Sequence, residues 1–226
     1  MNEGSRNRWD VSIDEALAIQ DRLRPLVSTE TALPLDTIRT IAGVDAIYSD
    51  DAKAAVVLLA YPSLDIIDRA VAVRRNTFPY VPGLLSFREI PAVLLALDLL
   101  MQQPDVIMAD GHGYAHPRRF GLASHLGVYL DRPTVGCAKT RLVGRYSEPG
   151  PLVGDCSPLV SGRETIGMVV RTKRNVAPIF VSIGHKFDLA TAVDLVLSCG
   201  RGYRLPEPTR LADRLSRAPA APTLFP

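Results

Sequence analysis

The stretch Pro104–Gly121, PDVIMADGHGYAHPRRFG, gathers the chemistry of the chain. Asp105–Ala109 reads as a short buried strand, an apolar run bounded by turn formers. Asp110 ends it. Gly111 and Gly113 allow positive φ and close approach of backbone to a ligand. His116-Pro-Arg-Arg119 adds two fixed positive charges and a titratable ring. A carboxylate at the C-terminal end of a buried strand, followed by a glycine-rich basic loop, is what a phosphate and metal site in an open α/β sheet needs. The carboxylate can hold a hard cation, and the arginines can grip phosphate oxygens. Taken alone, the same residues also describe a polar turn, since DG and HP are common turn pairs.

Three further acids and a lysine stand at informative places. Asp45 interrupts the mostly apolar run Ile38–Tyr48, where a carboxylate is costly unless paired or metal-bound; an outward-facing position on an alternating strand is the competing reading. Glu89 follows Ser86 at capping-box spacing, ahead of an apolar helix Ile90–Met101. Pro91 leaves the start of that helix open, because a proline past the first turn loses a backbone bond. Asp213 lies on a helix that begins near Pro208 and runs to Arg217. It shares a polar side with Arg210, Arg214 and Arg217, so a solvated salt-bridged face is the ordinary alternative. Lys139 follows a short strand, Thr134–Cys137, and can reach a phosphate or a water as a flexible cation, or lie on the surface. The loop Thr77–Gly83 is stiffened by Pro79 and Pro82 around Tyr80. It suits a wedge between stacked bases, or a turn whose aromatics pack on the sheet.

The elements that must position these groups follow from periodicity. Ser12 and Glu15 fit a capping box, opening a helix Ile13–Val27 with Ile13, Ala16, Leu17, Leu23, Leu26 and Val27 on one face. Ile38–Tyr48, Ala54–Tyr61 and Leu64–Arg75 are three strands with tight connections, an antiparallel meander. Leu122–Leu130 is a helix. Leu152–Val160 and Thr165–Arg171 form a hairpin through Gly162, Ala177–Ser182 is a strand, and Asp188 caps a helix Leu189–Leu197.

Of the 226 residues 47% are hydrophobic, enough for a sizeable core in one domain, expected over 1–217, with a disordered Pro/Ala-rich tail over 218–226. No apolar run reaches the ~18 residues of a membrane span. The polar N-terminus MNEGSRNRWD has no signal-peptide core. Cys137, Cys156 and Cys199, without CxxC spacing, read as free thiols packed in the core of a cytoplasmic protein. A net charge of +2 makes any basic surface local.

A three-stranded antiparallel start, a helix, then parallel strands, with acids on the first strand, on that helix, at the fourth strand and on the last helix, match the α/β ribonuclease-H-like fold: a central mixed sheet flanked by helices. Hard oxygen ligands without a His/Cys set favour Mg²⁺ or Mn²⁺ over zinc.

The chain resembles the endonuclease V family from about Trp9 to about Arg217. The resemblance rests on AGVD (Ala42–Asp45), TFPYVPGLLSFRE (Thr77–Glu89), DGHGYAHPRRFGLASHLG (Asp110–Gly127), GCAKTRLVG (Gly136–Gly144), RTK (Arg171–Lys173), PIFVSIGH (Pro178–His185) and RLPEPTRLAD (Arg204–Asp213). It implies a metal-dependent DNA repair endonuclease that reads deaminated bases, chiefly hypoxanthine, and hydrolyses the second phosphodiester bond 3′ to the lesion, leaving 3′-hydroxyl and 5′-phosphate ends. Asp45, Glu89 and Asp110 are then the metal-binding carboxylates, with Asp213 a fourth position that is His in some members. Tyr80, flanked by Pro79 and Pro82, is the wedge. Gly83, Leu85, Gly111 and Leu122 wall the pocket for the flipped base, and His116 and Lys139 lie near the scissile phosphate. The expected cofactor is Mg²⁺, with Mn²⁺ able to substitute. The expected partner is DNA carrying deaminated bases, with inosine-containing RNA the alternative, bound by a monomer.

Physics is consistent with that allocation. A base must leave the stack before its Watson–Crick edge can be read, at a cost of a few kcal/mol that falls for a deaminated mispair. Two rival classes are a phosphoryl-transfer enzyme on the same fold, which lacks a GxxxxGKS/T loop here, and a binding module without catalysis, which would not require acids facing a polyanion.

Overall fold

The computed structural model describes residues 9–48 and 51–219. The segments 1–8 and 220–226, and with them most of the N-terminal decapeptide and of the tail expected to be disordered, lie outside the described residues.

One eight-stranded mixed sheet runs through the molecule in the order β3-β2-β1-β4-β5-β8-β7-β6. The meander is β1 (Thr40–Tyr48), β2 (Asp51–Ala60) and β3 (Ile66–Arg75), each antiparallel to the next. β4 (Val106–Ala109) then lies parallel beside β1, and β5 (Thr134–Ala138) parallel beside β4. The parallel part ends there. β8 (Ile179–His185) is antiparallel to β5, and the hairpin β6 (Cys156–Ser161) and β7 (Glu164–Val170) extends the sheet beyond it.

Strand alternation gives the sheet two apolar faces. Ala42, Val44, Ala54, Val56 and Leu58 meet helix α2 (Ser86–Asp98) and helix α3 (Leu122–Leu130) on one side. Ile41, Val57, Leu59, Val106 and Met108 form the other face, covered by α4 (Leu189–Ser198) and α5 (Glu207–Arg217). Full burial of a Val or Leu side chain is worth ~1.5–3 kcal/mol, so the two layers fix which side each strand residue faces. Asp188 caps α4 by accepting from the Thr191 N–H, as its position predicts. Among the described residues no helix is long and apolar enough to cross a membrane.

Three local expectations are corrected. α1 (Ile13–Leu23) has the capping box of Ser12 and Glu15, but it stops at Leu23, and a 3₁₀ turn carrying Pro25 follows. Ile13 and Leu26 are exposed, and the buried face is Ala16 with Gln20. The second box does not form: Leu85 is the N-cap of α2, no side chain caps it, and Pro91 lies inside the helix. Ser86 is instead bound by its hydroxyl to His125 Nδ1 at 2.9 Å. Cys137 and Cys199 are buried in the core, whereas Cys156, on the outermost strand β6, is exposed.

Candidate active site

β1 and β4 run side by side, with Asp45 inside β1 and Asp110 just past the end of β4. The Asp110 N–H donates to Val44 O, which sets Asp110 beside the end of β1. Asp45 shares the parity of Ile41 and Gly43, so it faces α5 and is only 8% exposed. The outward-facing alternative is therefore closed. Gly43 explains how α5 comes close enough to matter. A Cβ there would stand 1.9 Å from Pro208 O, so only glycine lets the first turn of α5 rest on the strand. One further turn along α5, Asp213 arrives at the same place. Ligand oxygens of Asp45, Asp110 and Asp213 lie within 4.8 Å of one another.

Lys139, at the end of β5, spans two of the three. Its Nζ is 2.5 Å from Asp110 Oδ2 and 2.6 Å from Asp213 Oδ1. Burial alone would lower the Lys139 pKa, but the two carboxylates outweigh it and raise it. Asp213 is pushed up by burial and pulled further down by Lys139 and Arg217, so it lies below the ordinary carboxylate value. Asp110 goes the other way. Burial, with help from Asp45 and Asp213, raises it to about 6 against the pull of Lys139.

Glu89, on the first turns of α2, approaches from the opposite face of the sheet. It is 4% exposed. Burial pushes its pKa well above the ordinary range, and the charges of Asp45 and Asp110 push it further, with Arg88 opposing. Three acids thus meet, Glu89 lies near enough to feel the charges of two of them, and a single lysine bridges Asp110 and Asp213. Such a cluster is electrostatically unfavourable until a cation joins it. Its donors are all carboxylate oxygens, which suits a hard divalent ion such as Mg²⁺.

Beside the acids lies a pocket of about 170 Å³. Gly83, Leu85, Gly111 and Leu122 all line it, together with Tyr80, Pro82 and His116. Gly111 directly follows Asp110 in the chain, so the pocket wall and the acid cluster share a segment. His116 is placed in this wall, near Gly83, and not among the acids. Burial first, then Arg118 and His112, lower its pKa to about 4, so the ring is neutral. Its Nδ1 accepts from the Arg118 N–H at 3.2 Å.

The loop before the pocket divides its aromatics. Phe78 is buried and stacks on Phe87 at 5.3 Å, whereas Tyr80 is 62% exposed between the exposed Pro79 and Pro82. Tyr80 stacks on Tyr48, ring centroids 6.2 Å apart. The Arg88 guanidinium lies 4.9 Å from the Tyr48 centroid and donates to Phe78 O at 2.7 Å, tying the loop to α2.

Several residues of this region escape a reading of the sequence. Gln20 donates to Gly83 O and Phe120 O and accepts from Arg118, so it braces two walls of the pocket. Its only sequence signal was a polar residue among apolar neighbours on α1. Ser216 donates to Asp45 Oδ2 at 2.5 Å. Its signal was the spacing of three from Asp213, which places both on one side of a helix. Arg88 and Tyr48 gave none beyond their proximity to Glu89 and Asp45.

Comparison with known proteins is consistent with this geometry. The family model described as Endonuclease V matches residues 21–214. Endonuclease V of Nostoc punctiforme is 49% identical over 213 residues, 93% of this chain and 96% of the relative. The crystal structure of Endonuclease V from Streptomyces avermitilis superposes with a TM-score of 0.87 at 46% identity, covering 92% of this chain and 93% of that one. Endonuclease V of Ciona intestinalis, solved in complex with a 23mer DNA containing an inosine followed by a ribo-adenosine, superposes with a TM-score of 0.81 at 31% identity, covering 91% and 95%. A fold that brings three acids together with Glu89 nearby, beside a walled pocket and a projecting tyrosine, thus occurs in a chain that belongs to the endonuclease V family of nucleases.

Proposed function

We propose that the chain is a metal-dependent DNA repair endonuclease that takes a deaminated base, chiefly hypoxanthine, into the 170 Å³ pocket and cuts the second phosphodiester bond on its 3′ side. The observation that carries this reading is the shared segment Asp110-Gly111, which joins a cation-seeking acid cluster to a base-sized pocket. The catalytic domain is taken as 1–217.

Asp45, Glu89, Asp110 and Asp213 would hold the ion, with Mg²⁺ preferred and Mn²⁺ able to substitute. When bound, a divalent ion supplies charge for the phosphate oxygens and lowers the pKa of an attacking water. The remaining work belongs to side chains. Tyr80 leaves its stack on Tyr48 and fills the gap vacated by the flipped base, and the prolines beside it limit the entropy lost on insertion. Gly83 and Gly111 bring backbone groups to the edge of the base, where hypoxanthine offers a ring N–H donor and a carbonyl acceptor. Lys139, held beside the acids by Asp110 and Asp213, would contact a phosphate oxygen of a strand lying over them. His116, neutral and buried in the wall, orients the strand between pocket and cut.

The test is a nicking assay on end-labelled inosine duplex, with Mg²⁺ and with chelator, against the same duplex without the lesion. Cleavage directly after the first nucleotide 3′ to inosine, only with metal, is the expected result. Loss of the lesion base from the strand would mean a glycosylase instead.

A second substrate is favoured by one observation, the ribo-adenosine that follows inosine in the DNA bound by the Ciona protein. Inosine-containing RNA is the alternative target. A strand with one ribonucleotide 3′ of inosine, compared with all-DNA and all-RNA strands, ranks the three.

A further inference from the structure

A second, larger groove lies on the far side of Lys139. It has a volume of about 610 Å³, and its walls include Lys139, Thr140, Arg141, Tyr146, Phe180 and Arg204. These residues come largely from three motifs that the base pocket does not use up: GCAKTRLVG, PIFVSIGH and RLPEPTRLAD.

The segment after Lys139 is the partition between groove and pocket. Thr140 lines the groove, while its carbonyl accepts from the ring of His112, which lines the pocket, at 2.9 Å. Leu142, two residues on, lines the pocket again. Lys139 itself reaches the acids from the groove wall. The acid cluster thus adjoins the pocket through Asp110-Gly111 and the groove through Lys139.

The chemistry of the groove suits a nucleic-acid strand. Arg141 is exposed, and its guanidinium lies 5.8 Å from the Tyr146 centroid. Tyr146 packs edge-on against Phe180 at 5.4 Å, so the aromatic floor is fixed from below. Arg204 is held in place by donating to Lys139 O and Pro178 O at 2.5 and 2.9 Å. The acid of the groove, Glu148, is paired with Arg171 at 2.8 Å and does not offset those charges. Fixed cations over aromatic rings are the usual means of holding a backbone with its bases.

We infer that this groove holds the strand on the 3′ side of the cut bond, the part that leaves with the 5′-phosphate. The direction rests on the proposed function: if the lesion occupies the pocket and the cut falls 3′ of it at the acids, the path beyond the acids is the 3′ path.

The experiment measures binding of labelled inosine duplexes in chelator, over a range of salt, for the wild type and Arg141→Ala. Three duplexes are used: full length, one shortened on the lesion strand just past the cut bond on the 3′ side, and one shortened by as much on the 5′ side. On the full duplex, loss of one phosphate contact lowers the slope of log K against log salt by about one. The same loss is expected on the 5′-shortened duplex. On the 3′-shortened duplex the two proteins should bind alike, and Arg141→Lys should restore the slope. A wild-type slope for Arg141→Ala on every duplex overturns the assignment, and so does a deficit that survives 3′ shortening or disappears on 5′ shortening. The variant's melting temperature, matched to wild type, excludes misfolding as the cause of a deficit. If wild type itself neither prefers inosine duplex nor nicks it, the proposed function has failed; if that preference stands and the arm dependence is missing, only the groove assignment has failed.

Discussion

The hydroxyl of Ser216 stands 2.5 Å from Asp45 Oδ2 and donates to it. The serine is fully buried in the last turn of α5, and its oxygen is also 2.9 Å from Asp213 O. One side chain therefore ties the helix to the strand and fixes the rotamer of a proposed metal ligand. Hydrogen bonds to charged groups contribute ~1.5–3 kcal/mol net, so the tie is worth having even before an ion is bound. Ser216→Ala is expected to weaken metal affinity by up to about 10–100-fold, the scale seen when a group orienting a ligand is removed. Ser216→Thr should retain most of the affinity. Direct Mn²⁺ binding, followed alongside the Mg²⁺ dependence of nicking, checks both.

Charge repulsion in the acid cluster sets a pH dependence. The folded pKa of Asp110 is raised from 3.8 to about 6, and that of buried Glu89 is raised as well. A folded state that holds protons more tightly than the unfolded chain loses stability as pH rises between the two pKa values. For Asp110 that window runs from about 4 to about 6, with a loss on the order of 3 kcal/mol. Buried histidines with depressed pKa, His116 and His125 among them, act in the opposite sense over this range, so the comparison is made against Asp110→Asn: in chelator the variant should gain melting temperature over the wild type as pH rises from 5 to 7, and Mg²⁺ should narrow the gap. Asp110→Asn should raise the melting temperature in chelator at pH 7 and abolish nicking. A melting difference between wild type and Asp110→Asn that does not change with pH in chelator would contradict the raised pKa.

Tyr80 offers a clean separation of stability from recognition. With its ring mostly in solvent, Tyr80→Ala should leave the melting temperature nearly unchanged. Lesion affinity should drop by ~1–3 kcal/mol, the usual worth of an aromatic stacked on a base. A buried aromatic would instead cost ~3–5 kcal/mol of stability. Phe78→Ala, two residues away and buried, is the comparison that should show that larger cost.

Gly43→Ala tests the docking of α5. The added methyl meets backbone of Pro208, which cannot swing aside as a flexible side chain would. Overpacking of this kind costs ~1–3 kcal/mol, and the helix carrying Asp213 and Ser216 must shift. The variant should fold with a reduced melting temperature and need far more Mg²⁺ for half-maximal nicking. Full activity at wild-type metal concentration would show that α5 tolerates displacement.

Asp213 is the acid that α5 brings to the cluster. Asp213→Ala should raise the Mg²⁺ requirement, whereas loss of a mere surface pair is worth only ~0–1 kcal/mol. Asp213→His should recover part of the activity, more in Mn²⁺ than in Mg²⁺, because imidazole suits the softer ion. An unchanged metal titration in Asp213→Ala would leave the site to the other three acids.

Much of the scaffold was legible because its signals are local. An apolar run closed by Asp110 reads directly as a strand with an acid at its end, and the three-strand meander follows from short connections between β-rich segments. The register of Asp45 was not legible, since Val44 and Ala46 allow either facing; only the packing of α5 on Gly43 decides it. Glu89 shows how a local motif can mislead. Ser86 and Glu89 have capping-box spacing, yet Ser86 binds His125 from another helix and the box is never made. Tertiary competition for one hydroxyl is invisible in a window of four residues. The bracing of the pocket by Gln20 was hidden for the same reason, because its partners are backbone carbonyls 63 and 100 residues away.

The placement of α5 has a consequence for synthesis. Asp45 is made early, and its hydroxyl partner follows 171 residues later. A chain emerging from the ribosome presents Asp45, Glu89 and Asp110 well before α5 exists to seat them. Until that last helix docks on Gly43, the proposed cutting centre lacks Asp213 and the tie that steadies Asp45. On that assignment, a chain arrested part-way through its own synthesis carries an incomplete acid cluster.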